Sequence, residues 1–134
     1  NPATISKRAV FEFLKDETFT KRDRLRKRRE FLAVQRRGKK LHLRDLLVFV
    51  RPGASGRTRV GVTVTKKVGN AVQRNRVKRL VREVYRRNKD LLPQGLDIVF
   101  VAKNSVIGVG FHDLGRQLGT LARTLRTKRM GHQP

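Results

Sequence analysis

The chain contains no cysteine and no tryptophan, a single tyrosine, and only ten Asp and Glu against thirty-four Lys and Arg. Without cysteine there are no disulfide staples, no thiolate metal sites and no thiol redox chemistry, a usage that fits the cytoplasm. Aromatic residues make up 6% of the chain, too few for a broad base-stacking sheet of the RRM kind. The shortage of acid bears on catalysis, because metal-dependent nucleases gather two or three carboxylates around their ions. Here the acids are scattered. Asp23, Glu30 and Glu83 sit among arginines, where they read as local charge balance. His42, His112 and His132 have no companion at metal-ligand spacing. Long apolar runs are missing too: Leu46 to Val50 falls far short of the roughly 18 residues that span a bilayer, and no charged-then-apolar leader opens the sequence. The expectation is a soluble chain with no membrane partner.

What is present is positive charge, +24 on 134 residues. Self-repulsion at this density works against a compact state unless salt or a polyanion screens it, so a polyanionic partner is the first expectation. The length suits one domain, and a 37% hydrophobic content can still bury a modest core. The charge is unevenly placed, with eleven basic residues from Lys21 to Lys40 and ten from Lys66 to Lys89.

Residues 1–20 read as an N-terminal extension with a short helix from Ser6 to Lys15, residues 21–128 as the domain, and residues 129–134 as a basic tail. Leu25, Phe31, Leu32 and Val34 fall at helical offsets and predict a basic helix from Arg22 to Arg36, ending before Gly38. Leu41 to Arg51 carries strand signals. The Gly53-Ala54-Ser55-Gly56 stretch resembles a KH-type phosphate loop in spacing, but its place between strand signals makes it a turn. From Arg59 to Thr65 the pattern alternates, with Val60, Val62 and Val64 on one face and Gly61, Thr63 and Thr65 on the other. The second face is small and polar, leaving room for a ligand.

Asn70 followed three residues later by Gln73 reads as a capping box opening a helix to about Lys89. Val77, Leu80, Val81 and Val84 form its apolar stripe. Asn75, Arg79, Arg82 and Arg86 form an opposite polar line about 16 Å long, flanked by Arg76 and Lys78. Glu83 alone cannot neutralise so many cations, and arginine suits bidentate phosphate contact. Lys66 and Lys67 lie just before the helix N-terminus, where backbone N–H groups and the helix dipole favour anions. Phe31 and Phe49 are the best stacking candidates, with a core role as the alternative. Beyond Pro93 and Gly95, Ile98 to Ala102 reads as a buried strand, which makes a strand–helix–strand unit with parallel neighbouring strands. Leu114, Leu118, Leu121 and Leu125 mark a closing amphipathic helix.

The run Lys66-Lys67-Val68-Gly69-Asn70-Ala71-Val72-Gln73-Arg74-Asn75-Arg76-Val77-Lys78-Arg79 resembles the signature of the bacterial ribonuclease P protein subunits. Lys21 to Leu25, Arg29 to Phe31 and Arg59 to Thr65 extend the resemblance on both sides. It implies an α+β fold, a single αβββαβα domain with helices on a four-stranded sheet. The signature helix would form a left-handed crossover, a hand that sequence alone would not predict. It further implies a protein that is monomeric when free and that binds a catalytic RNA subunit and the 5′ leader of precursor tRNA. The RNA and Mg²⁺ would cleave the leader, and the protein would supply no catalytic residue and hold no metal. Lys66, Lys67, Asn70, Arg74, Asn75, Arg76, Lys78 and Arg79, with Arg82 and Arg86, would face the catalytic RNA. Phe31, Phe49, Thr63 and Thr65 would line a leader cleft, together with Gln35, which stands where some members have an aromatic. The runner-up is a structural ribosomal protein, which shares the composition. A nuclease with its own active site is disfavoured by the scattered acids.

Overall fold

A computed structural model of the chain describes residues 21–54 and 56–127. The helix expected over Ser6 to Lys15 and the tail at 129–134 lie outside the described residues. A 3₁₀ turn, Lys21–Asp23, leads to helix α1 (Arg28–Arg37), strands β1 (Lys39–His42), β2 (Leu46–Pro52) and β3 (Arg59–Thr63), helix α2 (Ala71–Asn88), strand β4 (Leu96–Ala102) and helix α3 (Phe111–Thr127). The sheet order is β1-β2-β4-β3. β4 pairs antiparallel with β2 and parallel with β3, so β3, α2 and β4 form the expected strand–helix–strand unit.

The alternating pattern splits the sheet cleanly. Leu46, Val48 and Val50 of β2, Val60 and Val62 of β3, and Leu96, Ile98 and Phe100 of β4 are buried on one face. They pack there with Val77, Val81 and Val84 of α2 and Leu114, Leu118, Leu121 and Leu125 of α3. The opposite face carries a smaller cluster in which Leu25 and Val34 cover Val99, with Phe31, Phe49 and Val101 at its margin. Thus α1 lies on one side of the sheet and α2 and α3 on the other.

One boundary differs from the sequence reading. Helix α1 begins at Arg28, six residues later than its periodicity suggests, because the chain before it is used by the sheet. Arg24 bridges Val60 in parallel, and the Leu25 amide donates to the Val60 carbonyl at 3.0 Å, covering part of the β3 edge. The strand signals over Leu41 to Arg51 divide into β1 and β2, which with β3 make the three strands expected before the signature helix. The break is held by buried Asp45, whose amide donates to Gln117 Oε1 at 2.9 Å and whose carboxylate accepts from Gln117 Nε2 at 2.6 Å. The Asp45 carbonyl also accepts from the Lys103 amide.

Candidate nucleic-acid interface

Helix α2 begins as its sequence specifies. Asn70 Oδ1 accepts from the Gln73 amide and Gln73 Oε1 accepts from the Asn70 amide, both at 2.9 Å. Its cations then divide by their surroundings. Arg74 turns back and donates through Nη1 to the Gly69 carbonyl at 2.8 Å, bracing the turn that follows Lys66 and Lys67. Asn75, Arg76 and Arg79 are exposed, Lys78 is half-buried, and none of the four has a side-chain partner among the described residues. Arg82 is half-buried; desolvation and then the nearby Arg24 charge push its pKa below the ordinary arginine value. Arg86 departs from the expected rail. It binds Glu83 through Nε at 3.0 Å and through Nη2, and Arg87 joins them at 3.2 Å, holding the Glu83 carboxyl at about 2. The outward cationic surface is therefore concentrated in the first half of the helix. Lys66, Lys67 and Thr65 are exposed just before it.

On the other side of the sheet, the register aligns Lys40, Phe49, Val99 and Gly61 in one row and His42, Leu47, Val101 and Thr63 in the next. Phe31 descends from α1 onto Gly61. A Cβ at that position would stand 2.5 Å from Phe31 Cζ, with Cε2 closer still. The sequence reading of an open small-residue face is corrected here: Gly61 is small because the Phe31 ring occupies the space above it. In the next row Leu47, Val101 and Thr63 are half-buried and His42 is exposed. Phe31 and Phe49 join the same apolar cluster, and Gln35, one helical turn after Phe31, is half-buried. Thr65 lies past the end of β3 and is exposed.

At the other end of this face, one arginine ties α1 to the sheet. Arg59 holds the Asp97 carboxylate bidentately, at 3.1 Å from Nε and 3.0 Å from Nη2, and donates through Nη1 to Glu30 Oε2 at 2.7 Å. The Asp97 hydrogen bonds raise the Arg59 pKa, with burial opposing. Glu30 Oε1 meanwhile accepts from the Arg26 and Lys27 amides at the start of α1. Burial disfavours the Glu30 charge, but those amides and Arg59 outweigh it and lower the pKa. This network joins α1 to β3 and β4 and sets the height of Phe31 above the sheet.

Ribonuclease P is also the family whose profile matches residues 19–126. The chain belongs to the ribonuclease P protein family. It is 42% identical over 108 residues to the ribonuclease P protein component of Syntrophus aciditrophicus, an alignment covering 81% of this chain and 91% of that one. The ribonuclease P protein component of Citrifermentans bemidjiense is 44% identical over 110 residues, covering 82% and 94%. Among solved structures, the ribonuclease P protein of Thermotoga maritima superposes with a TM-score of 0.69 at 36% identity, over 75% of this chain and 96% of that one. Membership in the ribonuclease P family sets aside the ribosomal alternative that composition left open. Among the described residues no helix is long and apolar enough to cross a membrane.

The ribonuclease P signature thus supplies one exposed cluster, Asn75, Arg76 and Arg79, together with the braced turn at Gly69. Sequence reasoning did not single out Leu47, Val101 and His42, which share the α1 side of the sheet with Thr63. Their signal was the alternate residues of β2 and β4, visible only once the strands are in register.

Proposed function

We propose that this chain serves ribonuclease P by using its two sides for two RNA partners. The exposed start of α2 neutralises phosphates of the catalytic RNA subunit, while the cleft under α1 receives the 5′ leader of precursor tRNA. The observation that carries this reading is the set of outward, unpartnered Asn75, Arg76 and Arg79 on the opposite side of the sheet from the Phe31–Phe49 cleft. Arginine side chains without internal acceptors fit a phosphate partner, and their loss removes counterion release. In the cleft, Phe31 and Phe49 offer aromatic surface to a leader base, and Thr63 and Gln35 offer hydrogen bonds.

The chemistry lies with the RNA in this reading, in the cytoplasm. Asp23, Glu30, Asp45, Glu83, Asp97 and Asp113 each carry an arginine, so these carboxylates do not fit a Mg²⁺ site. No group of three or more potential metal ligands occurs among the described residues. In this reading the Mg²⁺ that the family implies is held on the RNA side of the complex.

Two measurements test this. For Arg76→Ala, the salt slope of binding to the RNA subunit falls by roughly 0.7–0.9, the share of one phosphate contact. An unchanged slope removes α2 from the RNA interface. Precursor tRNA and Mg²⁺ are then incubated with protein alone, with RNA subunit alone at low salt, and with both. Cleavage by the protein alone would overturn the division of labour.

A further inference from the structure

Valine 72 is the most exposed large apolar side chain among the described residues, at 68%. A single exposed valine on a helix is ordinary. This one, however, forms one side of a recess of about 250 Å³ whose other walls are Asn75, Arg76 and Arg79. The four positions fall at i, i+3, i+4 and i+7 of α2, so they share one face. The recess holds an apolar surface, two guanidinium groups and one carboxamide, and no acidic residue lines it. None of its polar side chains is committed elsewhere among the described residues.

A bare phosphate needs only the two arginines. The apolar wall and the carboxamide suit a different guest. We infer that this recess receives one unstacked adenosine of the RNA subunit, its base against Val72 and its phosphates on Arg76 and Arg79. Asn75 provides the selectivity. A carboxamide presents one donor and one acceptor side by side, the complement of the adenine edge formed by N6 and N7. Guanidinium planes supply a second stacking surface. The proposal rests on the reading of α2 as the RNA-subunit face and adds to it that one base, not only the backbone, is recognised there.

The test uses the whole chain and the RNA subunit. Val72→Ala and Asn75→Ala alter exposed positions outside the buried stripe, so thermal melts of both should match the wild type. Each is expected to weaken RNA-subunit binding by about tenfold, ~1.4 kcal/mol, with the salt slope unchanged, because no phosphate contact is lost. Dimethyl sulfate probing of the RNA subunit, which reads adenine N1, should show one adenine with a protein-dependent change in reactivity. That change disappears with Asn75→Ala and Val72→Ala, and replacing that adenosine by guanosine reproduces the loss. Binding and probing patterns unaltered by both substitutions would overturn the proposal, as would a fall in salt slope equal to that of Arg76→Ala. If the wild-type chain itself does not bind the RNA subunit, the broader reading of α2 fails, a result distinct from either.

Discussion

Gly61→Ala separates two physical effects of opposite sign. Alanine is the better strand residue by roughly 0.5–1 kcal/mol, so if Gly61 lay under open space the substitution would stabilise the chain. The Phe31 ring instead stands where the new methyl would go, at 2.5 Å from Cζ. The ring is anchored by its cluster and by the Glu30–Arg59 bond one residue away, so it cannot simply swing out. Overpacking of this kind typically costs about 1–3 kcal/mol. The net expectation is a loss of ~0.5–2 kcal/mol, the difference between these ranges. Each 1 kcal/mol shifts Tm by roughly 2–8 °C across the domain sizes that bracket this chain. Thermal melts followed by far-ultraviolet circular dichroism at one fixed salt concentration read the effect. The sign should reverse when Phe31 is first removed: in a Phe31→Ala background, Gly61→Ala becomes neutral or stabilising, a coupling of ~1–3 kcal/mol between the two sites. Gly61→Ala should also weaken precursor tRNA binding more than mature tRNA binding, because the displaced ring stands beside the residues proposed to receive the leader. A raised Tm for Gly61→Ala in the wild-type background would refute the packing of Phe31 on β3.

Replacing Arg59 by Met keeps the bulk but strips Asp97, 7% exposed, of its bidentate partner and Glu30 of its third hydrogen bond. Breaking a buried pair costs about 3–5 kcal/mol, and partial exposure of Arg59 places this one at roughly 2–3 kcal/mol. Urea unfolding measures it, and a loss below about 1 kcal/mol would mean that water already satisfies the network. Glu83, held at about 2 by Arg86 and then Arg87, has a folded pKa below its ordinary 4.5. Its contribution is therefore complete above about pH 4.5 and is lost as pH falls from there through 2. Glu83→Gln should differ from the wild type by under about 1 kcal/mol at neutral pH, since the pair is partly exposed, and the difference should vanish near pH 2. A carboxyl titration by NMR with its midpoint near 4.5 would contradict the Arg86 geometry.

Helix α2 was legible because its start and its faces are local. The Asn70–Gln73 cap and the Val77–Val84 stripe are read within one segment, and the helix spans Ala71–Asn88 as expected. The closing helix was visible for the same reason, through leucines at fixed spacing. The position of the β1–β2 break escaped because its cause lies seventy-two positions away, at Gln117. The late start of α1 escaped because Arg24 and Leu25 carry helical spacing yet spend their backbone on Val60. At the candidate interface, counting charge located α2 but could not show that Arg86 is taken by Glu83 while Arg76 and Arg79 have no partner among the described residues. Gly61 is the clearest limit. Alternation gives the side on which a residue lies, and says nothing of what hangs above it.

The sheet order has a temporal meaning. β4 is the last strand in the chain yet sits between β2 and β3. A polypeptide made at about 5–20 residues per second needs roughly 2–8 s to extend from the end of β3 to the end of β4. During that interval β2 and β3 have emerged without the neighbour they share, and α2 has no completed sheet to rest on. A nascent chain that stalls before Leu96 can form the β1–β2 hairpin but neither side of the sheet in its final shape. Completion of both sides of the sheet thus waits for β4.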